Sequence, residues 1–190
     1  MSVILAVKKE NQLVIASDSQ QNFGSNLAGI NNIRESKIRQ IGEAYFSFSG
    51  WGLYSNIFDD FLTARTVPRL TSHGEIFTFF QDFWKQLHER YSFVSDQCDD
   101  KESPFGDLDT SFLVVTTGKI FHISGNMSVS EFLKYHAIGS GSDFAIGAMH
   151  ALYEEAFTAE EIAKKAVQAA IDHNVYCGGE IEIRTMKIAG

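Results

Sequence analysis

An acid at Asp18, a lysine at Lys37, a Gly139-Ser140-Gly141 turn and a cysteine, Cys177, four residues after His173 are the positions whose types invite a chemical reading. Each also has an ordinary one. Asp18 suits a strand end, where a carboxylate makes a local turn contact, and Lys37 alone suits a solvated strand position. Gly139-Ser140-Gly141 ahead of a helix could cradle a phosphate. Neither Gly-x-x-x-x-Gly-Lys nor Gly-x-Gly-x-x-Gly occurs there, which weakens that reading. Cys177 with His173 would supply a thiol and a base, whereas Cys177 alone is a small residue suited to burial. The histidines, His73, His88, His122, His136, His150 and His173, show no metal-ligand spacing with one another or with Cys98 and Cys177, so no metal or other cofactor is expected.

The elements that must carry these residues can be read from hydrophobic pattern. The chain opens MSVILAVKKENQLVIASDSQ, in which Val3 to Val7 and Leu13 to Ala16 are apolar, β-branched-rich runs around a polar break. A two-residue turn at Glu10-Asn11 pairs positions that sum to 21, which sets Val3 opposite Asp18 and Ser2 opposite Ser19. Both runs are continuously apolar, so both faces of their sheet should be covered. Lys37 to Ile41 and Ala44 to Ser49 predict a second hairpin around Gly42-Glu43. Trp51, Tyr54, Ile57, Phe58, Phe61 and Leu62 share one helical face that must end before Pro68, and Ile76, Phe79, Phe80, Phe83, Trp84 and Leu87 share another. The polar stretch from Ser95 to Asp109 predicts a mobile surface loop. Phe112 to Thr116 and Lys119 to Ile123 make a third hairpin around Thr117-Gly118, and Phe132 to Ile138 one more strand. A helix then begins near Ser142 or Asp143, either of which can cap it. Thr158 with Glu161 forms a capping box for the next helix, and a strand from Ile181 closes the chain. Hairpins, two helices, hairpins, two helices and a last strand predict an α+β fold, a four-layer αββα sandwich of two antiparallel sheets between helical layers.

A length of 190 residues fits one domain, 1–190, with a full core. The 16 phenylalanines against 2 prolines argue for a packed interior rather than disordered linkers. A formal charge of -8 disfavours nucleic acid or an anionic membrane as partner. Two distant cysteines do not make a disulfide framework, and no apolar run reaches the length of a membrane span or signal-peptide core, so a cytoplasmic protein is expected.

The order and spacing of several pieces resemble a known family: the opening hairpin ending in Asp18, Lys37 in SKIRQIGEAYFSFSG, Gly50, AIGSGSDFAIGAMHAL and the closing VYCGGEIEI. Together they are similar to proteasome-type β subunits of the N-terminal nucleophile hydrolases, and most of all to the peptidase subunit of the bacterial two-component ATP-dependent protease. The resemblance spans nearly the whole chain. It implies a peptidase of the threonine-peptidase type, in which removal of the initiator methionine exposes a hydroxyl residue whose own α-amine, with an ordinary pKa of about 7.7 to 8.0, accepts the hydroxyl proton. Ser2 occupies that place, where the family usually has threonine.

By the same resemblance Asp18 is the carboxylate behind the nucleophile, and Lys37 the lysine whose charge lowers the proton affinity of the neighbouring amine and hydroxyl. Ser140 bonds the terminal amine, the Gly50 amide faces the oxyanion, and Phe48 shapes an apolar, substrate-binding first pocket. Asn174 and Cys177 stand where many relatives carry an aspartate and a serine. The resemblance further implies polypeptide substrates, homo-oligomeric stacked rings of six or seven subunits, and a separate ATPase unfoldase. Two alternatives stay open at this point: a noncatalytic ring or assembly subunit that keeps Met1, and an amidase of the same fold acting on small molecules.

Overall fold

The structure, a computed structural model, describes residues 2–24, 26–27, 36–63, 66, 68–91 and 106–188. The opening hairpin follows the predicted register. β1 (Ile4–Lys9) and β2 (Gln12–Asp18) pair Ile4 with Ser17 and Lys9 with Gln12. β10 (Tyr135–Ile138) flanks β1 and β11 (Ile181–Lys187) flanks β2, completing an antiparallel sheet in the order β10-β1-β2-β11. The second sheet runs β5 (Arg39–Ile41), β6 (Ala44–Gly50), β7 (Thr110–Thr116), β8 (Lys119–Ile123) and β9 (Val129–Phe132).

The continuous apolar runs of β1 and β2 are explained by what lies on each face. Val3, Leu5, Val7, Val14 and Ala16 face outward into a core shared with α3 (Ser142–Leu152) and α4 (Ala159–His173). Ile4, Ala6, Leu13 and Ile15 face the second sheet and pack on Leu113, Val115 and Ile120. On the far face of the second sheet, α1 (Leu53–Thr63) and α2 (His73–Arg90) bury a phenylalanine cluster. Its rings meet at close range, as in Phe80 with Phe112 at 4.9 Å and Phe58 with Phe83 at 5.5 Å, where tilted and edge-on pairs add to burial. Four layers result, in the order helices, sheet, sheet, helices. The capping boxes of α2 (Ser72 with Glu75) and α4 (Thr158 with Glu161) are both formed.

Several expectations need correction. Trp51 lies before α1 and is 63% exposed, so it is not part of that helix's buried face. Phe132 to Ile138 is not one strand: β9 ends at Phe132 and pairs with β8, while β10 begins at Tyr135 and pairs with β1. The chain crosses between sheets at Leu133-Lys134, where the Lys134 carbonyl accepts from the Lys8 amide at 2.7 Å. Neither Ser142 nor Asp143 caps α3. Gly141 is its N-cap and makes no side-chain bond, because that residue is packed where a Cβ would lie 2.7 Å from Cys177 Sγ and 2.9 Å from Ala170 Cβ. β5 starts at Arg39, since the Lys37 carbonyl is taken by Ser47 Oγ instead of a ladder partner. A short ribbon, β3 (Asn22–Phe23) with β4 (Asn26–Leu27), follows β2 and was not anticipated. Of the predicted surface loop, residues 95–105 lie outside the described residues, as do Met1 and Cys98. Among the described residues no helix is long and apolar enough to cross a membrane.

Candidate active site

Asp18 ends β2 and is wholly buried. A buried carboxylate needs its lone pairs occupied, and four donors converge on this one. Oδ1 accepts from the Val3 amide at 3.0 Å and from Lys37 Nζ at 2.8 Å. Oδ2 accepts from the Gly178 amide at 3.0 Å and the Gln20 amide at 3.3 Å. The Asp18 amide also donates to the Val3 carbonyl at 3.2 Å, so main chain and side chain together hold the residue that follows Ser2.

Lys37 reaches Asp18 from the turn before β5. Ser47 on β6 donates its hydroxyl to the Lys37 carbonyl at 2.6 Å, and Ser36 Oγ accepts from the Ile38 amide at 3.1 Å, which fixes the backbone on both sides. Lys37 is 8% exposed. Burial pulls its ammonium below the usual lysine range, and the contact with Asp18 opposes that pull without cancelling it.

Ser2 is 7% exposed. Its carbonyl is held by the Gly139-Ser140-Gly141 turn, accepting from the Gly141 amide at 3.2 Å and, at the long limit of 3.5 Å, from Ser140 Oγ. Gly139 has φ +93°, and a Cβ there would fall 2.3 Å from the Ser2 carbonyl oxygen, so only glycine permits this approach. Asn174, the C-cap of α4, braces the turn from behind by donating Nδ2 to the Ser140 carbonyl at 2.5 Å. Its Oδ1 accepts from the Tyr176 amide at 2.9 Å. An amide does both tasks at once, whereas a carboxylate could not donate.

Ser2, Lys37, Phe48 and Gly50 line one cavity of about 450 Å³. Gly50 ends β6 opposite Thr110, where a Cβ would lie 2.5 Å from the Asp109 carbonyl. Asp18 stands behind Lys37. Ser140 lines a neighbouring cavity of about 630 Å³ across the Gly50-Trp51-Gly52 segment. The lining around Phe48 is mixed: Phe23 and Trp51 add aromatic surface, Arg39 lies over the Phe48 ring, 5.4 Å from its centre, and Ser55 and Asn56 join them. A larger cavity of about 650 Å³ near the Gly42 turn holds none of these residues.

The thiol reading fares poorly. Burial, reinforced by Asp18, pushes Cys177 up to about 11, which keeps it protonated near neutrality. The His173 ring packs on Phe144 at 5.7 Å. Among the described residues no group of histidine, cysteine and acid side chains is placed to hold a metal ion. Sequence reasoning missed Ser47, Gly178, Arg39 and Trp51. Ser47 alone carried a signal, as a small polar residue between Phe46 and Phe48.

The arrangement sets Ser2, Lys37 and Gly50 in the lining of one cavity, with the Asp18 carboxylate buried behind Lys37. Comparison with known proteins finds likeness to proteasome-type subunits. Residues 100–186 match the proteasome subunit family. The ATP-dependent protease subunit HslV of Campylobacter jejuni subsp. doylei is 29% identical over 185 residues, covering 95% of this chain and 93% of that one. Its counterpart from Caulobacter sp. (strain K31) is 26% identical over 199 residues, 97% and 94% of the two chains. Among solved structures, Thiobacillus denitrificans BPH in complex with epoxomicin superposes with a TM-score of 0.88 at 25% identity, covering 99% of this chain and all of that one, 100%. Eukaryotic HslV from Trypanosoma brucei shares the fold with a TM-score of 0.67 at 22% identity, over 97% and 99% of the chains. Over nearly its whole length the chain is similar to the peptidase subunit of the bacterial ATP-dependent protease, and its C-terminal half matches the proteasome subunit family.

Proposed function

We propose that this chain, as one catalytic domain over 1–190, hydrolyses peptide bonds in unfolded polypeptides with Ser2 as nucleophile after loss of Met1. One observation carries the reading. Ser2 is gripped on both sides, its carbonyl by the Gly139-Ser140-Gly141 turn and the following amide by Asp18, and it shares a cavity with Lys37. A residue so restrained is pre-organised for attack.

In this mechanism the freed α-amine of Ser2 takes the proton from Oγ, which attacks the scissile carbonyl carbon. The carbonyl oxygen becomes an oxyanion beside the Gly50 amide. The C–N bond then breaks, the protonated α-amine returns its proton to the departing amine, and an acyl ester on Ser2 remains. Water, deprotonated by the same amine, releases the acid and restores Ser2. The Lys37 ammonium stabilises negative charge on Oγ by electrostatics, and Asp18 orients it. By analogy with the HslV relatives, the subunits assemble as homo-oligomeric rings that an ATPase unfoldase supplies.

Intact-mass measurement on protein from its native host, with a covalent serine/threonine-directed probe, tests the reading. The expected result is a chain lacking Met1 that is labelled once, cleaves peptides and is blocked by epoxomicin, with labelling and turnover abolished in Ser2→Ala. A retained Met1 in the native protein would sink the Ser2 mechanism and leave a noncatalytic ring subunit. Turnover of small amides without turnover of peptides would point to the amidase.

A further inference from the structure

The cavity that holds Ser2 has an unbalanced lining. Lys37 and Arg39 both line it and, among the described residues, no carboxylate does. Among the described residues, the carboxylates they pair with stand outside the lining. Asp18 is wholly buried behind Lys37. Asp59, on α1, takes Arg39 through Nε at 2.5 Å and through the guanidinium at 3.1 Å, with its own side chain half-exposed. Arg39 is held further by Ser55 Oγ and by the face of Phe48, and its side chain is only 16% exposed.

In each pair the basic residue lines the cavity and its carboxylate partner does not. At contact distances the nearer charge dominates, and a partly desolvated site screens it weakly. The neighbouring cavity across Gly50-Trp51-Gly52 has the reverse character, with Asp107 and Asp109 and no lysine or arginine in its lining. Size does not discriminate, since about 450 Å³ admits any side chain. The guanidinium lies over the Phe48 ring, while Phe23 and Trp51, both largely exposed, give the same lining further aromatic surface.

We infer that the Ser2 cavity selects an acidic side chain, glutamate or aspartate, on the residue whose carbonyl Ser2 attacks, and that Arg39 is the specificity-determining residue. This rests on the proposed hydrolase activity. A carboxylate entering the cavity meets the cationic face of Arg39, with the Ser55 hydroxyl and Asn56 amide beside it. A lysine or arginine side chain meets two like charges.

The test is a panel of peptide amides differing only at that residue, Glu, Gln, Leu or Lys, assayed on the assembled, Met1-processed protein. Wild type is expected to cleave the Glu peptide at roughly tenfold higher kcat/KM than the Gln peptide and about a hundredfold higher than the Lys peptide. Arg39→Gln should bring Glu and Gln within about twofold, chiefly through KM. Asp59→Asn leaves the cation in place, and should preserve or sharpen the preference even if Arg39→Gln folds poorly. Cleavage led by Leu or Lys overturns the selectivity alone. If no peptide is cleaved and the covalent probe leaves Ser2 unlabelled, the hydrolase reading fails and this inference with it.

Discussion

Asp18→Asn is the most informative perturbation of the buried pair, because asparagine keeps the shape and removes the charge. The carboxylate accepts from Val3 and Lys37 on one oxygen and from Gly178 and Gln20 on the other. An asparagine must aim its amino group at one of those donor pairs. The better orientation keeps the oxygen toward Val3 and Lys37, and strands the Gly178 amide. The Gln20 amide retains the Gly178 carbonyl at 2.9 Å. Lys37 is then a buried ammonium without a counter-ion, and breaking such a pair costs about 3–5 kcal/mol. With a urea m-value near ~2 kcal/mol/M, the midpoint should fall by roughly 1.5–2.5 M at pH 7.

The loss should depend on pH in one direction. Burial already lowers the Lys37 pKa, and removing Asp18 lowers it further, while the unfolded lysine stays near about 10.4. Between those values the unfolded state holds a proton that the native state lacks, so native stability rises with pH. The mutant gains more than wild type over that window, and the gap between them narrows from pH 7 to pH 9.5. Adding Lys37→Met to Asp18→Asn should recover part of the loss at pH 7. A midpoint change under about 0.5 M, or a gap indifferent to pH, would refute the view that this pair is buried and mutually dependent.

Two further outcomes are expected. With its thiol at about 11, Cys177 has on the order of one molecule in a thousand ionised at pH 8. Peptide mapping after iodoacetamide should therefore find Cys177 unmodified in the native protein, and Cys177→Ala should keep hydrolysis within about threefold; its loss in a folded variant would favour a thiol mechanism. His136 bridges the sheets, its Nε2 3.2 Å from His122 Nδ1 and its ring 3.8 Å from that of Phe132, and burial, then His122, lowers it to about 4. The unfolded ring titrates near ~6.5, so stability present above that pH is lost as pH falls toward 4, by about 1–2 kcal/mol once partial exposure is discounted. Melting across pH 4–7 should show this slope in wild type and a flatter one in His136→Phe.

Much of the fold was legible because period and turn chemistry agree. Glu10-Asn11 and Thr117-Gly118 set hairpin registers, and an unbroken apolar run in β1 and β2 demands cover on both faces, which two cores supply. Other features were not legible because packing sets them. Trp51 continues the helical spacing of Tyr54 and Phe58, yet its indole donates to Asp109 Oδ2 at 2.7 Å outside the helix. Phe132 to Ile138 contains no glycine or proline to mark the change of sheet. Gly141 starts α3 because of Cys177 and Ala170, a crowding that no local pattern records.

The site divides along the same line. The two readings of Asp18, a strand-end acid making a local turn contact and a carboxylate serving a distant lysine, are both realised in one side chain. The Gln20 amide is the local contact, and Val3, Lys37 and Gly178 are the distant ones. Three of these four donors are backbone amides, whose positions follow from β-ladder register and turn geometry, not from residue type. A sequence can therefore display the carboxylate without displaying most of what it holds. The same reasoning explains Arg39, which sits two residues after Lys37 and looks like a solvated strand cation. Its place beside Phe48 follows from Asp59, 20 residues on in the chain and beyond β6, which pairs with the guanidinium over that ring. Residue type announces a charge, while the counter-ion's place in the fold decides which way that charge faces.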